Sequence, residues 1–291
     1  MKWIVGLDLR PRSHGAVQFA RWLSQEARAG GDRFALVHVL EDEHLRVVLR
    51  SHHLDEVVAA AKAAASGILA RERLSGLEGE PEVVQGLWAD EALAEACTAG
   101  KGDAVVVGRA AARESHRLVR LGRVARGLLH DLACPVVVVP PDLEPGDLGP
   151  GPVVALSSLA DDSVEACRFA GRLAERLGRP LTVLHVVPLH DVHDLPYLPE
   201  ESLARLSADQ QAEAGAQLAA WLARHGLPGE PVVAQGQLTE RAASFALERK
   251  APILVVGSRR LSTVGRALHV SAGSELAAIA PLPVAVVPPR G

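Results

Sequence analysis

Positive charge gathers in one short stretch of the first half of the chain. The stretch begins at Gly108 and ends at Gly122-Arg123. A guanidinium group can donate two hydrogen bonds to phosphate oxygens, so this stretch could bind a phosphorylated ligand. The alternative is a solvated face of a loop or helix, which also carries runs of charge. The basic residues are Arg109, Arg113, His116, Arg117, Arg120 and Arg123.

A second candidate for chemistry is the run His190-Asp191-Val192-His193-Asp194, which offers four side chains able to bind a metal ion. It lies in a proline-rich segment without an element that would hold the ligands in place. We therefore predict no metal site there.

Other polar residues favour structural roles. His38 and His185 end apolar segments at matching places, and we interpret both as structural histidines. Ser13 and Ser163 are predicted to be N-cap residues of the first helix in each half. Because no nucleophile, base and orienting group can be assembled from the sequence, we predict no catalytic residues.

The second half of the chain repeats the first. His38-Val39 recurs as His185-Val186 at an offset of 147 residues, and other matches follow at similar offsets. A period of this length fits two whole domains rather than a solenoid. We predict a first domain over residues 1–141, a linker over 142–151 and a second domain over 152–291.

Composition narrows the class of protein. The chain has 291 residues, of which 48% are hydrophobic and 23% charged, so each half can bury a core. A net charge of −4 and 3% aromatic residues argue against a nucleic-acid partner. The sequence shows neither a signal peptide nor an apolar stretch long enough to span a membrane, so we expect a cytoplasmic protein without a membrane partner. Three isolated cysteines suggest buried thiols.

Apolar runs alternate with helical spacing along each half. In the first half, the helical segments cover residues 16–29, 54–74, 90–98 and 123–132. Runs without polar alternation predict strands that are covered on both faces, and intervening helices predict parallel pairing. Each half is therefore predicted to be an α/β sandwich with a five-stranded parallel sheet, Rossmann-like in organisation. The predicted strands of the first half are residues 4–7, 34–40, 82–85, 104–107 and 136–139.

Each half resembles a universal stress protein domain. The family pattern is a first strand ending in Val-x-x-Asp, a second ending in His-Val, a strand ending in Gly, a Gly-Ser pair that opens a helix, and a final Pro-Val-rich strand. The second half carries its versions at residues 184–186, 255–258, 270–271 and 283–288. The first half carries Val5-Gly6-Leu7-Asp8, Leu36-Val37-His38-Val39, Val106-Val107-Gly108, Gly122-Arg123 and the run 135–140.

The resemblance implies an adenine-nucleotide site in the first domain. Nucleotide-binding members carry Gly-x-x-Gly and then Gly-Ser or Gly-Thr after the fourth strand, where backbone N–H groups approach the phosphates. In the first half, Ala111 replaces the second glycine and Arg123 replaces the serine. The resemblance also assigns nucleotide contacts to Asp8 and Val39. The implied site residues are Asp8, Val39, Gly108, Ala111, Gly122 and Arg123.

The second half departs further from the family pattern. Val270 replaces the third glycine, and a β-branched side chain would crowd a phosphate. The counterpart of Asp8 is Ser157 or Ser158. We therefore expect ATP, or ADP or AMP with or without Mg²⁺, in the first domain, and a weaker or absent site in the second. The implied positions in the second half are Val186, Gly257, Arg260 and Ser271.

The resemblance implies a role in the stress response through binding rather than turnover. Two alternatives stay open: a nucleotide-free protein-interaction module, and a slow ATPase for which His116 and Asp8 are the loose candidates. Both the nucleotide-binding protein and the nucleotide-free module could form a homodimer or bind a protein partner. Within the chain, the apolar strands 136–139 and 284–287 would be exposed edges, so we predict that they pair antiparallel and form an intramolecular pseudo-dimer.

Overall fold

The computed structural model describes residues 1–27, 31–71, 80–113, 120–188, 197, 199–258 and 271–289. The chain divides into two compact units. Unit 1 comprises Met1–Asp147 together with Ala277–Val286, and unit 2 comprises Leu148–Leu276 together with Val287–Gly291.

Strands and helices alternate in unit 1, as the sequence predicts. The predicted strands are confirmed, with bounds extended by one or two residues where they differ. A short helix at Asp42–Val48 was not predicted. The elements are β1 Lys2–Leu7, α1 His14–Glu26, β2 Arg33–Glu41, α2 Asp42–Val48, α3 Leu54–Arg71, β3 Glu82–Gly86, α4 Ala89–Ala99, β4 Ala104–Gly108, α5 Arg123–His130 and β5 Val136–Val139.

Five parallel strands form the centre of unit 1 in the order β3-β2-β1-β4-β5. All four residues of β5 are buried, as expected for a strand that helices cover on both faces. Helix α1 buries Ala16, Phe19, Ala20 and Leu23 at helical spacing, which turns one face onto the sheet. The chain adds strands on one side of β1 first and then on the other, so the sheet has a topological switch point between β1 and β4.

Unit 2 repeats this plan. Its described strands β9, β6, β7 and β8 are parallel and lie in that order. The elements are β6 Val153–Leu156, α6 Val164–Leu177, β7 Leu181–Val187, α7 Glu200–His225, β8 Glu230–Gln235, α8 Leu238–Glu248 and β9 Leu254–Gly257. Helix α9, Ala272–Ile279, follows, and from Ala277 onward it belongs to unit 1.

The strand β10, Val284–Val287, belongs to unit 1 through its first three residues. It pairs antiparallel with β5, with Val284 opposite Val138 and Val286 opposite Val136. The predicted antiparallel pairing of these two strands is therefore confirmed. The pairing satisfies the backbone groups along an edge of β5 that would otherwise be exposed.

Candidate functional site

A crevice of about 520 Å³ opens in unit 1 at the carboxyl ends of β1, β2 and β4. This position is the topological switch point, where open α/β sheets bind their ligands. Of the six positions predicted for the first domain, all but Ala111 line the crevice: Asp8, Val39, Gly108, Gly122 and Arg123. Ala111 is buried in the adjoining loop.

The loop after β1 holds Asp8 in place through its own hydrogen bonds. The Ser13 hydroxyl donates to Asp8 Oδ1 at 2.7 Å, and the Asp8 N–H donates to the Ser13 Oγ at 2.8 Å. The Arg10 N–H also donates to Oδ1, at 2.9 Å. Asp8 Oδ2 lies 3.4 Å from Arg12 Nε, and the Asp8 side chain is 41% exposed. One carboxylate oxygen is therefore held by the loop, and the other lies beside the Arg12 guanidinium in a partly exposed side chain.

Ser13 occupies the N-cap position of α1, as predicted, but its side chain makes no cap hydrogen bond. The hydroxyl closes the β1 loop onto Asp8 instead. The prediction was therefore right about the position of Ser13 and wrong about the partner of its hydroxyl.

His38 has the structural role predicted for it. Its Nδ1 lies 2.8 Å from the carbonyl oxygen of Leu7, which can only accept, so the ring N–H donates. Leu7 and His38 form the last pair between β1 and β2. Val39, the next residue of β2, therefore lies just past the end of β1 and lines the crevice.

A partly buried carboxylate, which the sequence analysis did not identify, lies on the wall of the crevice. Glu41 ends β2, and its side chain is only 12% exposed. Its Oε1 accepts a hydrogen bond from the N–H of Ala89, the first residue of α4, at 2.9 Å. The same oxygen accepts a hydrogen bond from the Arg123 guanidinium. The guanidinium carbon also lies 5.5 Å from the centroid of the Trp88 ring, a cation–π contact.

The pair titrates as an ion pair. Burial alone would raise the pKa of Glu41, but hydrogen bonds from Arg123 and the Ala89 N–H outweigh it and the pKa is lowered. The hydrogen bond to Glu41 raises the pKa of Arg123. Sequence analysis missed Glu41 because 82 residues separate it from Arg123 and neither the family pattern nor the spacing marks it.

Two positions around the crevice require glycine, each for a different physical reason. A Cβ atom on Gly108 would lie 2.3 Å from the carbonyl oxygen of Arg12, so this position requires glycine for packing whether or not a ligand binds. Gly122 has a φ of +78°, a backbone conformation that favours glycine. Between them, the N–H groups of Ala110 and Ala111 both donate to the Arg120 carbonyl, at 2.9 and 3.0 Å. A phosphate would have to compete for these two donors.

Two arginines of the basic stretch have internal partners. Arg109 is 1% exposed; its Nε donates to the Ala111 carbonyl at 2.8 Å, and its Nη1 donates to the Ala280 carbonyl at 2.7 Å. Burial lowers the pKa of Arg109 to about 10. Arg109 is therefore not solvated: its Nε and Nη1 face carbonyl groups, while its Nη2 is buried without a hydrogen-bond partner among the described residues.

Arg113 is held by the segment after β5. Its Nε lies 3.2 Å from Asp142 Oδ2, and its Nη1 lies 2.9 Å from Asp147 Oδ2. Hydrogen bonds to these two carboxylates outweigh burial and raise the pKa of Arg113. His116 and Arg117 lie outside the described residues.

The loop after β6 in unit 2 repeats the loop after β1 without its carboxylate. The Ser158 N–H donates to the Ser163 Oγ at 3.0 Å, just as the Asp8 N–H donates to Ser13, so Ser158 is the counterpart of Asp8. The Ser158 hydroxyl donates to Asp162 Oδ1 at 2.9 Å. The His185 ring donates to the Ser157 carbonyl at 2.8 Å, which is again a structural role.

The remaining predicted positions of the second half are only partly described. A Cβ on Gly257 would lie 2.6 Å from the Asp162 carbonyl oxygen, the same close approach as at Gly108. The Ser271 hydroxyl accepts a hydrogen bond from the Ser274 N–H at 3.1 Å, and Val186 lies in β7. Arg260 and Val270 lie outside the described residues.

The run 190–194, weighed above as a metal site, also lies outside the described residues. Within the described ranges, no three histidine, cysteine or acidic side chains are grouped so that they could hold a metal ion. Nor is any helix in those ranges both long and apolar enough to cross a membrane.

Comparison with known proteins places the chain in a family. The model of the universal stress protein family matches residues 1–140 and again residues 153–288. The chain therefore belongs to the universal stress protein family and carries its domain twice. A universal stress protein of Thermus aquaticus is 30% identical over 130 residues, which is 44% of this chain and 91% of the relative.

Solved structures share the fold over the whole length. A universal stress protein of Archaeoglobus fulgidus DSM 4304 aligns with 99% of this chain and 98% of its own, at a TM-score of 0.61 and 17% identity. A functionally unknown protein of Pseudomonas aeruginosa PAO1 aligns with 99% of this chain and 92% of its own, at a TM-score of 0.62 and 14% identity.

Proposed function

We propose that unit 1 binds an adenine nucleotide, such as ATP, ADP or AMP, and that the protein acts in the stress response through binding rather than turnover. The observation that carries this proposal is the crevice at the switch point between β1 and β4, which Asp8 lines in a position fixed by its hydrogen bond to Ser13. Its volume of about 520 Å³ falls within the range typical of small-molecule sites.

The walls of the crevice suit a nucleoside. They are mainly aliphatic, which favours burial of a flat base, and the exposed Oδ2 of Asp8 can accept hydrogen bonds from a hydroxyl or amino group. Helix α5 begins at Arg123, which also lines the crevice, and its first N–H groups have no carbonyl partner within the helix. A helix N-terminus of this kind favours a negatively charged group. The aliphatic wall residues include Leu7, Val39, Leu45, Val48, Leu93, Leu121 and Val124.

Binding is favoured over turnover by the state of Asp8. A general base needs an available lone pair near the attacking water, but one Asp8 oxygen is held by the loop and the other faces the Arg12 guanidinium. In unit 2 the counterpart, Ser158, lacks the carboxylate. We therefore assign the principal site to unit 1, with a second nucleotide in unit 2 as a subordinate proposal.

The test uses the two counterparts as a matched pair. Asp8→Asn keeps an acceptor for the Ser13 hydroxyl and removes the charge, while Ser158→Ala removes the hydroxyl at the counterpart position in unit 2. Ligand at about 100 times its dissociation constant stabilises the folded protein by roughly 2.7 kcal/mol, which a thermal-shift assay detects. We expect Asp8→Asn to lose most of this shift and Ser158→Ala to keep it.

Release of nucleotide from the denatured, freshly purified protein, followed by chromatography, gives an independent readout. If the parent protein carries no nucleotide and shows no shift with ATP, ADP or AMP, with or without Mg²⁺, the proposal fails. The nucleotide-free interaction module would then be the better hypothesis.

A further inference from the structure

The Glu41–Arg123 pair lies inside the crevice, at the end where α5 begins. We propose that Glu41 determines which ligand the crevice prefers, because it holds the Arg123 guanidinium away from a phosphate chain and so favours adenosine or AMP over ATP. This inference rests on the proposed function and makes it more specific.

The first argument is the direction of the guanidinium. Arg123 is the first residue of α5, where the family pattern has the hydroxyl side chain of a Gly-Ser or Gly-Thr pair. Its side chain turns to Glu41 on β2 and lies over the Trp88 ring. A guanidinium with both a carboxylate partner and an aromatic face has to weaken contacts that it already makes before it can bind a phosphate.

The second argument is charge. Glu41 is ionised, and its side chain is 12% exposed, so water screens it less than a fully exposed charge. A triphosphate at the N-terminus of α5 would bring several negative charges close to this carboxylate, and like charges in an incompletely screened site repel each other. Adenosine carries no such charge, and AMP carries a single phosphate group. The carboxylate therefore offsets the attraction that Arg123 would exert on each added phosphate.

The third argument is the state of the loop between β4 and α5 in its described part. The N–H groups of Ala110 and Ala111 bind the Arg120 carbonyl, Arg109 faces backbone carbonyls, and Arg113 binds two aspartates. These groups would be the obvious compensation for the lost glycine and serine of the family pattern. Apart from Arg109 Nη2, which is buried without a partner in the described part of the chain, these donors have internal partners, so the charge of Arg123 matters more at this site.

A substitution at Glu41 can weaken the ion pair with Arg123 and still keep the hydrogen bond from the Ala89 N–H. In Glu41→Gln the side-chain carbonyl can still accept from the Ala89 N–H at the start of α4, while the charge that holds Arg123 is lost. Arg123 is 52% exposed, so its guanidinium has room to turn toward a ligand. The matched control is Glu248→Gln, which neutralises the Glu248–Arg241 pair of 2.8 Å in unit 2.

The experiment measures the affinities of adenosine, AMP and ATP by isothermal titration calorimetry. The variants are the parent protein, Glu41→Gln, Glu41→Gln/Arg123→Ala and Glu248→Gln. We expect the parent to bind AMP more tightly than ATP. Glu41→Gln is expected to raise the ratio of ATP to adenosine affinity about tenfold, the size of one charge-assisted hydrogen bond. Arg123→Ala in the same chain is expected to remove that gain, and Glu248→Gln to leave the ratio unchanged.

The other outcomes separate this inference from the proposed function. If Glu41→Gln binds adenosine but its ATP ratio does not rise, or if the gain survives Arg123→Ala, the inference is overturned and nucleotide binding stands. Loss of adenosine together with ATP in Glu41→Gln would also overturn it, since Glu41 would then contact the nucleoside or maintain the fold. If no ligand binds the parent protein, the proposed function itself has failed.

Discussion

Replacement of Gly108 by alanine tests whether this glycine serves packing or a phosphate. The new Cβ would lie 2.3 Å from the Arg12 carbonyl oxygen, and ordinary contact begins near 3.4 Å, so the loop after β1 would have to move by about 1.1 Å. Its φ lies outside the positive range, so alanine adds no backbone strain there. Overpacking of this kind costs about 1–3 kcal/mol. We expect Gly108→Ala to lower the unfolding free energy by that amount without any nucleotide.

Gly257→Ala should behave in the same way, because its Cβ would lie 2.6 Å from the Asp162 carbonyl oxygen. The control is Gly67→Ala in α3, where a Cβ would meet nothing within 4 Å. Alanine at an exposed helical position stabilises by about 0.5–1 kcal/mol, so this variant should move the other way.

Urea unfolding followed by tryptophan fluorescence measures all three variants. A loss of about 2 kcal/mol corresponds to a fall in melting temperature of roughly 4–8 °C. The packing explanation fails if Gly108→Ala unfolds like the parent protein. If Gly108→Ala has normal stability but binds nucleotide less tightly, Gly108 has the phosphate-binding role that the family pattern implies.

Two further predictions concern charged groups. Arg109→Leu would leave the carbonyls of Ala277 and Ala280 without their donor. Urea unfolding should therefore show a loss of about 1–3 kcal/mol in unfolding free energy, while calorimetry shows nucleotide affinity retained. A phosphate role for Arg109 would give normal stability and reduced affinity. The pKa of Glu41 is held below its ordinary value of 4.5, so its ionised form stabilises the fold above that pH and loses this effect as the pH falls through the lowered pKa. The difference in unfolding free energy between the parent and Glu41→Gln should therefore be constant above about pH 5 and shrink in more acidic solution, and a difference that grew on acidification would contradict it.

The fold could be predicted because the strands are long enough and apolar enough to be unambiguous. The run of four valines in β5 is buried throughout, and its pairing with β10 follows from the need to cover an apolar edge. Helix α2 was missed because it is short and its only buried residue is Leu45, so it has no apolar stripe. The bounds of α1 differ at both ends, since its caps do not use the side-chain hydrogen bonds that sequence analysis relies on.

The site was harder to predict because sequence gives residue types and not the directions of side chains. Arg109 and Arg113 look alike in the basic stretch, yet one is buried against backbone carbonyls and the other binds two aspartates. Glu41 lies at the end of a strand where no pattern distinguishes it from a solvated acid. Only the fold brings its carboxylate to Arg123 and to the first N–H of α4. Ser158 could be assigned as the counterpart of Asp8 only from the repeated hydrogen bond to the following serine.

The pairing of β10 with β5 has a consequence for biosynthesis. About 145 residues separate Val139 from Val284, and a ribosome adds roughly 5–20 residues per second, so β5 waits roughly 7–30 s for its neighbour. During this interval the nascent chain carries an apolar strand with one edge unpaired, which favours contact with other nascent chains or with chaperones. Unit 1 is therefore the first to begin folding and cannot be completed until residues 277–286 have left the exit tunnel. Its maturation in the cell is limited by the progress of translation through the second repeat.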